Sequence, residues 1–371
     1  MAKRLGFIVN PIAGMGGTVG LKGTDGEEAL RRALELGATP VAPLRARRFL
    51  EELARYRQAL VLVTPKGQMG EEIARELRFE VELLSIEIGE KTTAEHTKKA
   101  AKELVDREVE LLVFCGGDGT ARDILDAIDM KIPVLGIPAG VKMHSAVFAT
   151  NPRAAANVVV KYLWGELGLM EAEVMDVDEE AFRENRLSAK LYGYMLIPHE
   201  PELVQSGKEA TPLVDSEREN QLAIARYVVE NMEDDVIYIL SAGTTVKAIC
   251  DVLGEDKTLL GVDLMKNKKI IALDVNEQQI LKAIEGRKAK IIVSPIGRQG
   301  FIFGRGNQQI SARVIRKVGG PKGVIIIATP SKLKKIRCLR VDTGDEEVDS
   351  MFRGYLRVVI DYGRERMVEC C

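Results

Sequence analysis

The sequence predicts an α/β protein: a Rossmann-like N-terminal domain, with a parallel sheet and helices on both faces, followed by a second, mixed α/β domain. Short apolar runs alternate with helical patterns along most of the chain, which is typical of a parallel sheet covered by helices. Glycine-rich turns follow the apolar runs that end at Val9 and Cys115. Ligands of such sheets bind past the carboxyl ends of the strands.

The length of 371 residues favours two domains. The sequence pattern changes after Gly168, where the two successive stretches 173–178 and 188–197 are predicted as strands. We therefore predict a first domain over 1–167, a second over 168–320, and a C-terminal segment, 321–371, that returns to the first domain.

Composition and charge exclude several classes of protein. The 53 basic and 55 acidic residues give a net charge of −2, which argues against a nucleic-acid partner recruited by charge. No apolar run approaches the roughly 18–20 residues of a membrane span, and no signal-peptide pattern is visible. The five cysteines lack zinc-ligand spacing, and the adjacent Cys370 and Cys371 are poorly placed for a structural disulfide. We expect a cytoplasmic protein without a membrane partner.

The first domain opens with a strand from Arg4 to Val9, which ends in the loop Asn10-Pro11-Ile12-Ala13-Gly14-Met15-Gly16-Gly17. Periodicity then predicts four helices, over 25–36, 46–56, 70–77 and 94–107, and two strands, over 59–64 and 81–88. After the central strand come a helix over 121–128, a strand over 134–137 and a helix that starts at Asn151-Pro152.

The central strand, Leu111 to Cys115, ends in Gly116-Gly117-Asp118-Gly119-Thr120. Glycines let the backbone approach phosphate oxygens closely, and the N–H groups of the following helix favour an anion. Thr120 can donate its hydroxyl to a phosphate or cap the helix. Asp118 can take a proton from an acceptor hydroxyl or help to hold Mg²⁺. The alternative is a plain tight turn, since Asp-Gly is a common turn pair, but the flanking strand and helix favour a phosphate site.

Further candidates lie at the same predicted sheet edge. We expect Asn10, Gly14, Gly16 and Gly17 to form a second phosphate-side loop, although a merely glycine-rich connection is the alternative. Lys142, in the loop after the strand at 134–137, is a candidate phosphate ligand. Asp123 is near enough to Asp118 to assist with a metal, although a solvated helix face is the simpler interpretation.

The second domain shows its own alternation of strands and helices. Predicted strands cover 173–178, 188–197, 236–240, 259–262, 269–273 and 290–293, and predicted helices cover 216–232, 246–253 and 277–284. The C-terminal segment adds strands over 324–328, 338–341 and 356–360, and two short helices. We expect Lys332, Lys334 and Lys335 to form a solvated basic face.

Two stretches of the second domain carry candidate ligands. The small residues Gly243, Thr244 and Thr245 precede a helix and can bind a phosphate through N–H groups and hydroxyls, with an ordinary helix cap as the alternative. In the loop over 297–308, Arg305 can pair with a phosphate and Asn307 can contact a base or ribose. A glycine-rich surface hairpin is the alternative there.

These motifs resemble a known group of kinases. Gly116 to Thr120 resembles the signature of the NAD kinase and diacylglycerol kinase superfamily, with a similar motif in phosphofructokinases, and Asn10 to Gly17 resembles its Asn-Pro glycine loop. The stretches 135–152 and 304–308 are similar to the ATP-NAD kinase-like branch that includes acetoin-catabolism protein X. The turn at 243–245 resembles sugar-phosphate-binding turns of ribose-5-phosphate isomerase and related sensor domains.

The resemblance implies a kinase with Asp118 at the centre of catalysis, ATP or polyphosphate as donor, Mg²⁺, and NAD as a small-molecule acceptor. Residues 1–167 would bind the nucleotide and 168–320 the acceptor, in a homo-oligomer. Typical NAD kinases carry a β-rich second domain, whereas 216–293 alternates strands and helices. Two alternatives therefore stay open: a kinase of a sugar, polyol or lipid, and a non-catalytic sensor of nucleotides or sugar phosphates.

Overall fold

A computed structural model describes residues 2–21, 27–89, 91–140, 143–177, 189–200, 203–204, 215–296 and 299–371. The chain divides into two compact units. The first comprises Met1–Met15, Gly23–Glu179 and Leu187–Gly207, and the second comprises Gly16–Lys22, Glu180–Arg186 and Lys208–Cys371. Each unit is built on a sheet with helices, so the predicted α/β fold class is confirmed.

The first unit contains seven strands and six helices within the described ranges. The strands are β1 (Lys3–Val9), β2 (Leu60–Thr64), β3 (Glu80–Leu83), β4 (Leu111–Gly116), β5 (Val134–Pro138), β6 (Leu169–Val177) and β7 (Ala189–Pro198). The helices are α1 (Glu27–Glu35), α2 (Ala42–Leu53), α3 (Glu71–Glu76), α4 (Ala94–Asp106), α5 (Asp118–Ile128) and α6 (Pro152–Leu163). Strands β1–β5 form a parallel sheet in the order β3-β2-β1-β4-β5, and β6 pairs with β7 antiparallel.

Side chains that alternate along the central strands build a core on each face of this sheet. Phe7 of β1 packs in a cluster with Phe49 of α2. Its neighbour Ile8 points to the other face, into a cluster with Leu104 of α4 and Ile124 of α5. The near-continuous apolar runs in the sequence are therefore strands buried on both faces.

A close backbone contact joins the loops that follow β1 and β5. Gly14 has a φ of +81°, and a Cβ atom built on it would lie 1.9 Å from the carbonyl oxygen of Ala139. No side chain fits between these two loops, and the backbone conformation itself favours glycine. The glycine in the first loop is thus required by packing at the carboxyl edge of the sheet.

The second unit contains nine strands and six helices within the described ranges. The strands are β8 (Ile237–Leu240), β9 (Asp263–Lys266), β10 (Lys269–Ala272), β11 (Ala289–Val293), β12 (Phe301–Phe303), β13 (Val324–Ile327), β14 (Arg340–Val341), β15 (Gly354–Asp361) and β16 (Arg364–Cys370). The helices are α7 (Asp215–Glu230), α8 (Thr244–Leu253), α9 (Glu277–Ala283), α10 (Ala312–Lys317), α11 (Pro330–Lys334) and α12 (Glu346–Ser350). The main sheet has the order β10-β9-β8-β11-β13-β15-β16, and β12 pairs with β14. Across the described parts of both units, no helix has the length and apolar character needed to span a bilayer.

The units divide the chain differently from the predicted domains. The hairpin of β6 and β7 groups with the first unit, because Val174 and Met195 pack into the core beside α4 and α5. The segment 321–371, which we expected to return to the first domain, instead supplies β13, β15 and β16 to the sheet of the second unit. The connection through α10 lays β13 parallel to β11, as crossover connections do.

A buried lysine explains why the predicted strand over 259–262 begins later, at Asp263. Lys257 is fully buried, and its Nζ donates to the Asp263 carboxylate at 2.9 Å and to the carbonyl oxygen of Thr258 at 3.0 Å. Burial lowers the pKa of Lys257, and the Asp263 charge opposes this. The apolar residues between them bend around this ion pair and do not form a strand. A buried ammonium group needs a carboxylate and carbonyl oxygens as partners, and this path of the chain supplies them.

A disulfide joins Cys338 to Cys371, 33 residues away in the sequence. Leu339 bridges Cys370 in parallel register, and the Cys371 N–H donates to the Leu339 carbonyl oxygen at 3.1 Å. As expected, the adjacent cysteines Cys370 and Cys371 do not form a disulfide with each other. The spacing of the cysteines in the sequence did not predict Cys338 as the partner of Cys371. Burial raises the pKa of the remaining Cys370 thiol to about 12.

Replacing Gly14 by alanine should destabilise the protein more than the matched replacement of Gly165. Gly165 has a φ of +82° with nothing near its Cβ position, so G165A costs only the left-handed backbone strain, about 1–2 kcal/mol. G14A carries the same strain and the clash with Ala139, which adds about 1–3 kcal/mol. Denaturant unfolding measures both. Equal losses in the two variants would contradict the close packing.

Removing the disulfide by Cys338→Ser should lower the midpoint of thermal unfolding under non-reducing conditions. Closing a loop of this length stabilises a fold by about 3–4 kcal/mol, which corresponds to a fall of about 10 °C for a unit of this size. Calorimetry of the wild type with and without a reductant is the control. The variant and the reduced wild type should melt together, and a variant as stable as the oxidised wild type would contradict the bond.

Candidate functional site

The strand order of the first unit reverses between β1 and β4. From β1 the chain runs outward to β2 and β3, and it then returns to the opposite side of β1 as β4 and β5. Open α/β sheets bind ligands outside the carboxyl ends of the strands at such a point. Both glycine motifs begin here, since Asn10 directly follows β1 and Gly117 directly follows β4.

Asn10 links the two strand ends. Its backbone N–H donates to the carbonyl oxygen of Cys115 at 2.9 Å, and its side-chain Nδ2 donates to Thr120 Oγ1 at 2.9 Å. Its Oδ1 accepts from the backbone N–H of Ile12 at 3.3 Å. The asparagine of the first loop thereby fixes the position of a hydroxyl in the first turn of α5.

The turn after β4 packs directly against the turn after β5. The N–H groups of Ala139 and Gly140 donate to the carbonyl oxygen of Gly116 at 2.9 and 3.2 Å. A Cβ atom on Gly117 would lie 3.1 Å from the Cα of Gly140. Bare backbone therefore lines the start of α5, as a phosphate-binding turn requires.

Asp118 is the first residue of α5, and its side chain is buried. One carboxylate oxygen accepts from the backbone N–H of His144 at 2.7 Å, and the other accepts from that of Ser145 at 3.1 Å. Burial raises the pKa of the Asp118 carboxyl, and the hydrogen bonds from His144 and Ser145 oppose that rise. The Ser145 side chain contributes a third hydrogen bond, so about one of the roughly four acceptor positions remains for a proton or a metal ion.

The loop that holds Asp118 is itself anchored on a further strand. Ser145 Oγ accepts from the backbone N–H of Met175 in β6 at 2.9 Å. The two backbone donors to Asp118 are groups that any residue except proline supplies, and the side chain of Ser145 adds a hydrogen bond of its own. The residue type at position 144 could therefore not have indicated this role from the sequence, whereas a hydroxyl at position 145 is consistent with it.

Other predicted residues of this edge have separate surroundings. Gly119 is the second residue of α5, and Lys142 lies outside the described residues. Asp123 Oδ1 lies 3.8 Å from Lys98 Nζ of α4. Gly16 and Gly17 belong to a segment that groups with the second unit, where their carbonyl oxygens accept from the N–H groups of Leu21 and Gly20. Among the described residues, no three His, Cys, Asp or Glu side chains are placed to hold a metal ion.

The carboxyl ends of β8, β11 and β13 in the second unit collect buried hydroxyl groups around a lysine. Ser241 follows β8, Thr245 lies in the first turn of α8, and Ser294 follows β11; all three are at most 2% exposed. Lys332 Nζ donates to Ser294 Oγ at 3.2 Å and to Thr245 Oγ1 at 3.5 Å. We call this group, together with Asn307, the Lys332 cluster.

Lys332 differs from the solvated basic face that we expected. Lys334 and Lys335 are exposed, whereas Lys332 is half-buried and bonded to the cluster. Its signal in the sequence was its place in the short helix that follows the apolar strand β13, at the same sheet edge as the turn at 243–245. Charge composition alone did not distinguish it from its neighbours.

The predicted residues of the second unit have partners at this edge. Thr244 Oγ1 accepts from Gln221 Nε2 at 3.4 Å, and Asn307 Nδ2 donates to Ser241 Oγ at 3.0 Å. Arg305 instead forms a buried ion pair with Asp342 at 2.7 Å, with its guanidinium 4.6 Å from the ring centroid of Phe301. Its charge already has a partner inside the protein.

Comparisons with known proteins point to one family. Residues 5–167 match the family model of the ATP-NAD kinase N-terminal domain, and residues 233–370 match that of the ATP-NAD kinase C-terminal domain. No curated protein matches the chain.

Two solved structures, both of "a putative diacylglycerol kinase" from Bacillus anthracis str. Sterne, are similar at 17% and 16% identity with TM-scores of 0.26 and 0.25. The matches cover 47% of this chain and 45% and 43% of those chains, so this chain spans less than half of their length. A likeness at these TM-scores carries no argument. The two family models together span well over half of the sequence and include both glycine motifs, and the chain therefore belongs to the ATP-NAD kinase family.

Proposed function

We propose that the chain is an ATP- or polyphosphate-dependent kinase that phosphorylates a hydroxyl of NAD or of a related small metabolite. The observation that carries the proposal is the buried Asp118 carboxylate, held by two backbone N–H groups at the point where the strand order reverses. A fixed carboxylate beside bare glycine backbone suits phosphoryl transfer, which depends mainly on positioning and charge neutralisation.

In this proposal Asp118 accepts the proton of the attacking hydroxyl. The raised pKa makes its carboxylate a stronger base than an exposed aspartate. The glycine turn at Gly116 and Gly117 and the first turn of α5 contact the donor phosphates, and Thr120 adds a hydroxyl whose position Asn10 fixes. Gly14 keeps the first loop close enough to take part.

The residues also fit a Mg²⁺ ion that is bound mainly through the substrate. Mg²⁺ commonly takes one or two carboxylates together with phosphate oxygens, and Asp118 retains about one acceptor position for it. Such an ion would neutralise charge on the transferring phosphoryl group. Asp123 lies beside Lys98, so we propose it for at most an indirect contribution.

The family and the structure of the second unit favour different classes of acceptor. NAD follows from the family, whereas the second unit is an α/β structure with its own polar sheet edge, which favours a phosphorylated or polyhydroxylated acceptor. The alternative function, a non-catalytic sensor of sugar phosphates, would bind its ligand at the same sheet edge and catalyse no phosphate transfer. We propose a small-molecule partner and a homo-oligomer on the family resemblance alone. The cytoplasmic location stays a proposal from the cysteine spacing, and the Cys338–Cys371 disulfide argues against the reducing environment that this spacing suggested.

Asp118→Asn should lower the rate of phosphate transfer from ATP about 100-fold or more, because the amide cannot accept a proton. Asp126→Asn is the matched control, since Asp126 lies on the same helix and is partly exposed beside Lys98. ADP release with NAD and a panel of polyols as acceptors measures both variants, with thermal unfolding as a check on folding. Full activity of Asp118→Asn would contradict the proposal.

The dependence of kcat/KM on pH should show an acid limb above the usual range for aspartate. Burial raises the Asp118 pKa, so the proton-accepting form is lost as the pH falls through that raised value. The residual activity of Asp118→Asn should lack this limb, whereas a limb caused by the substrate phosphates would persist in the variant. Activity retained down to the pKa of an ordinary aspartate would contradict the role of base.

A further inference from the structure

We propose that Arg122 of α5 is a further catalytic residue, whose guanidinium binds the phosphoryl group that is transferred. The inference rests on the proposed kinase function, which brings the phosphates of the donor to the start of α5. It goes beyond that function because it adds a cation to the site. Arg122 and the residues that position it belong to the first unit.

Arg122 lies one helical turn after Asp118, on the same face of α5. The two residues are four positions apart, and residues at this spacing are neighbours on a helix surface. Side chains of a helix tilt toward its N-terminus, so the Arg122 side chain points back to the turn that contains Asp118. Burial raises the pKa of the Asp118 carboxyl, and the charge of Arg122 is one of the effects that oppose this rise. The positive charge therefore reaches the carboxylate.

Strand β6 fixes the end of the Arg122 side chain beside the partners of Asp118. Arg122 Nη1 donates to Asp176 Oδ1 in β6. Met175, the residue before Asp176, donates its N–H to Ser145 Oγ at 2.9 Å. The backbone N–H of Ser145 in turn donates to Asp118 at 3.1 Å. These contacts form a closed ring, which holds the guanidinium close to the carboxylate.

The ion pair of Arg122 is open to exchange with a ligand. The Arg122 side chain is 31% exposed and that of Asp176 is 41% exposed, and an ion pair that water reaches contributes little to stability. A guanidinium has five N–H donors, and the contact with Asp176 is made by one nitrogen. Arg305 differs, because its ion pair with Asp342 is buried. Arg122 can therefore bind a phosphate oxygen beside Asp176 or in its place.

A cation at this place matches the charge that the transfer must neutralise. The acceptor oxygen forms a bond to the transferred phosphorus, while the proton of the acceptor hydroxyl passes to Asp118. The bond from that phosphorus to the bridging oxygen of the donor breaks, and its electron pair leaves with the remaining phosphates of the donor. Negative charge is spread over the oxygens of the transferred group during this step. An arginine binds two such oxygens at once, and a contact that strengthens as charge develops accelerates the transfer.

Arg122→Met should lower kcat for phosphate transfer about 100-fold, because the loss of one donor to developing charge has about this effect. The affinity for the donor, measured by calorimetric titration with ATP, should fall much less. Arg122→Lys keeps the charge without the paired donors, so it should retain more activity than Arg122→Met. Arg47→Met is the matched control and should keep wild-type activity, since Arg47 of α2 forms a similar, partly exposed ion pair with Glu76 of α3.

Asp176→Asn separates phosphate binding from a merely structural role of Arg122. The variant removes the partner of Arg122 and leaves the guanidinium, so it should lower kcat less than tenfold. Equal losses in Asp176→Asn and Arg122→Met, or full activity of Arg122→Met, would overturn the inference. Thermal unfolding checks that each variant is folded. If Arg122→Met does not fold, Arg122→Lys takes its place, and a loss no greater than that of Asp176→Asn overturns the inference.

Asp118→Asn distinguishes failure of this inference from failure of the proposed function. If the wild type is active, Asp118→Asn is inactive and Arg122→Met keeps its activity, the inference fails and the kinase function stands. If the wild type transfers phosphate from neither ATP nor polyphosphate to any acceptor, the proposed function fails and the role of Arg122 fails with it.

Discussion

Two hydrogen bonds from the backbone N–H groups of His144 and Ser145 to the Asp118 carboxylate hold the site of the first unit together. They join the turn after β4 to the loop after β5, and the Ser145 hydroxyl extends the connection to β6. A buried carboxylate without such donors would be strongly destabilising. The glycines around it let the neighbouring backbone come close enough to make the connection.

The sequence was sufficient to predict the first unit in outline. The continuous apolar runs predict that β1 and β4 are central strands buried on both faces of the sheet. The glycines after each run indicate the sheet edge where ligands bind, because close contacts between backbones require glycine. The backbone donors to Asp118 could not be predicted, since a main-chain N–H has no residue-type signature. The contact of Asn10 with Thr120 joins residues far apart in the chain, and only the strand order brings them together.

The structure of the second unit was harder to predict from the sequence, and the physical reason differs from element to element. The apolar residues before Asp263 suggested a strand, yet burial of the Lys257 ammonium required a turn there. The strands of the last fifty residues were expected to join the first domain, but nothing in their local sequence indicates which sheet a strand joins. Lys332 was grouped with Lys334 and Lys335 because position on a helix cannot show that one of three lysines faces a strand end.

Main-chain recognition of Asp118 has an evolutionary consequence. The side chain at position 144 can vary without removing its backbone donor to the carboxylate, so comparison of relatives at this position would understate its importance. Proline is the exception, because it has no N–H to donate. A lineage that acquired proline at position 144 or 145 would keep every residue of the glycine signature and yet lose the support of its central acid.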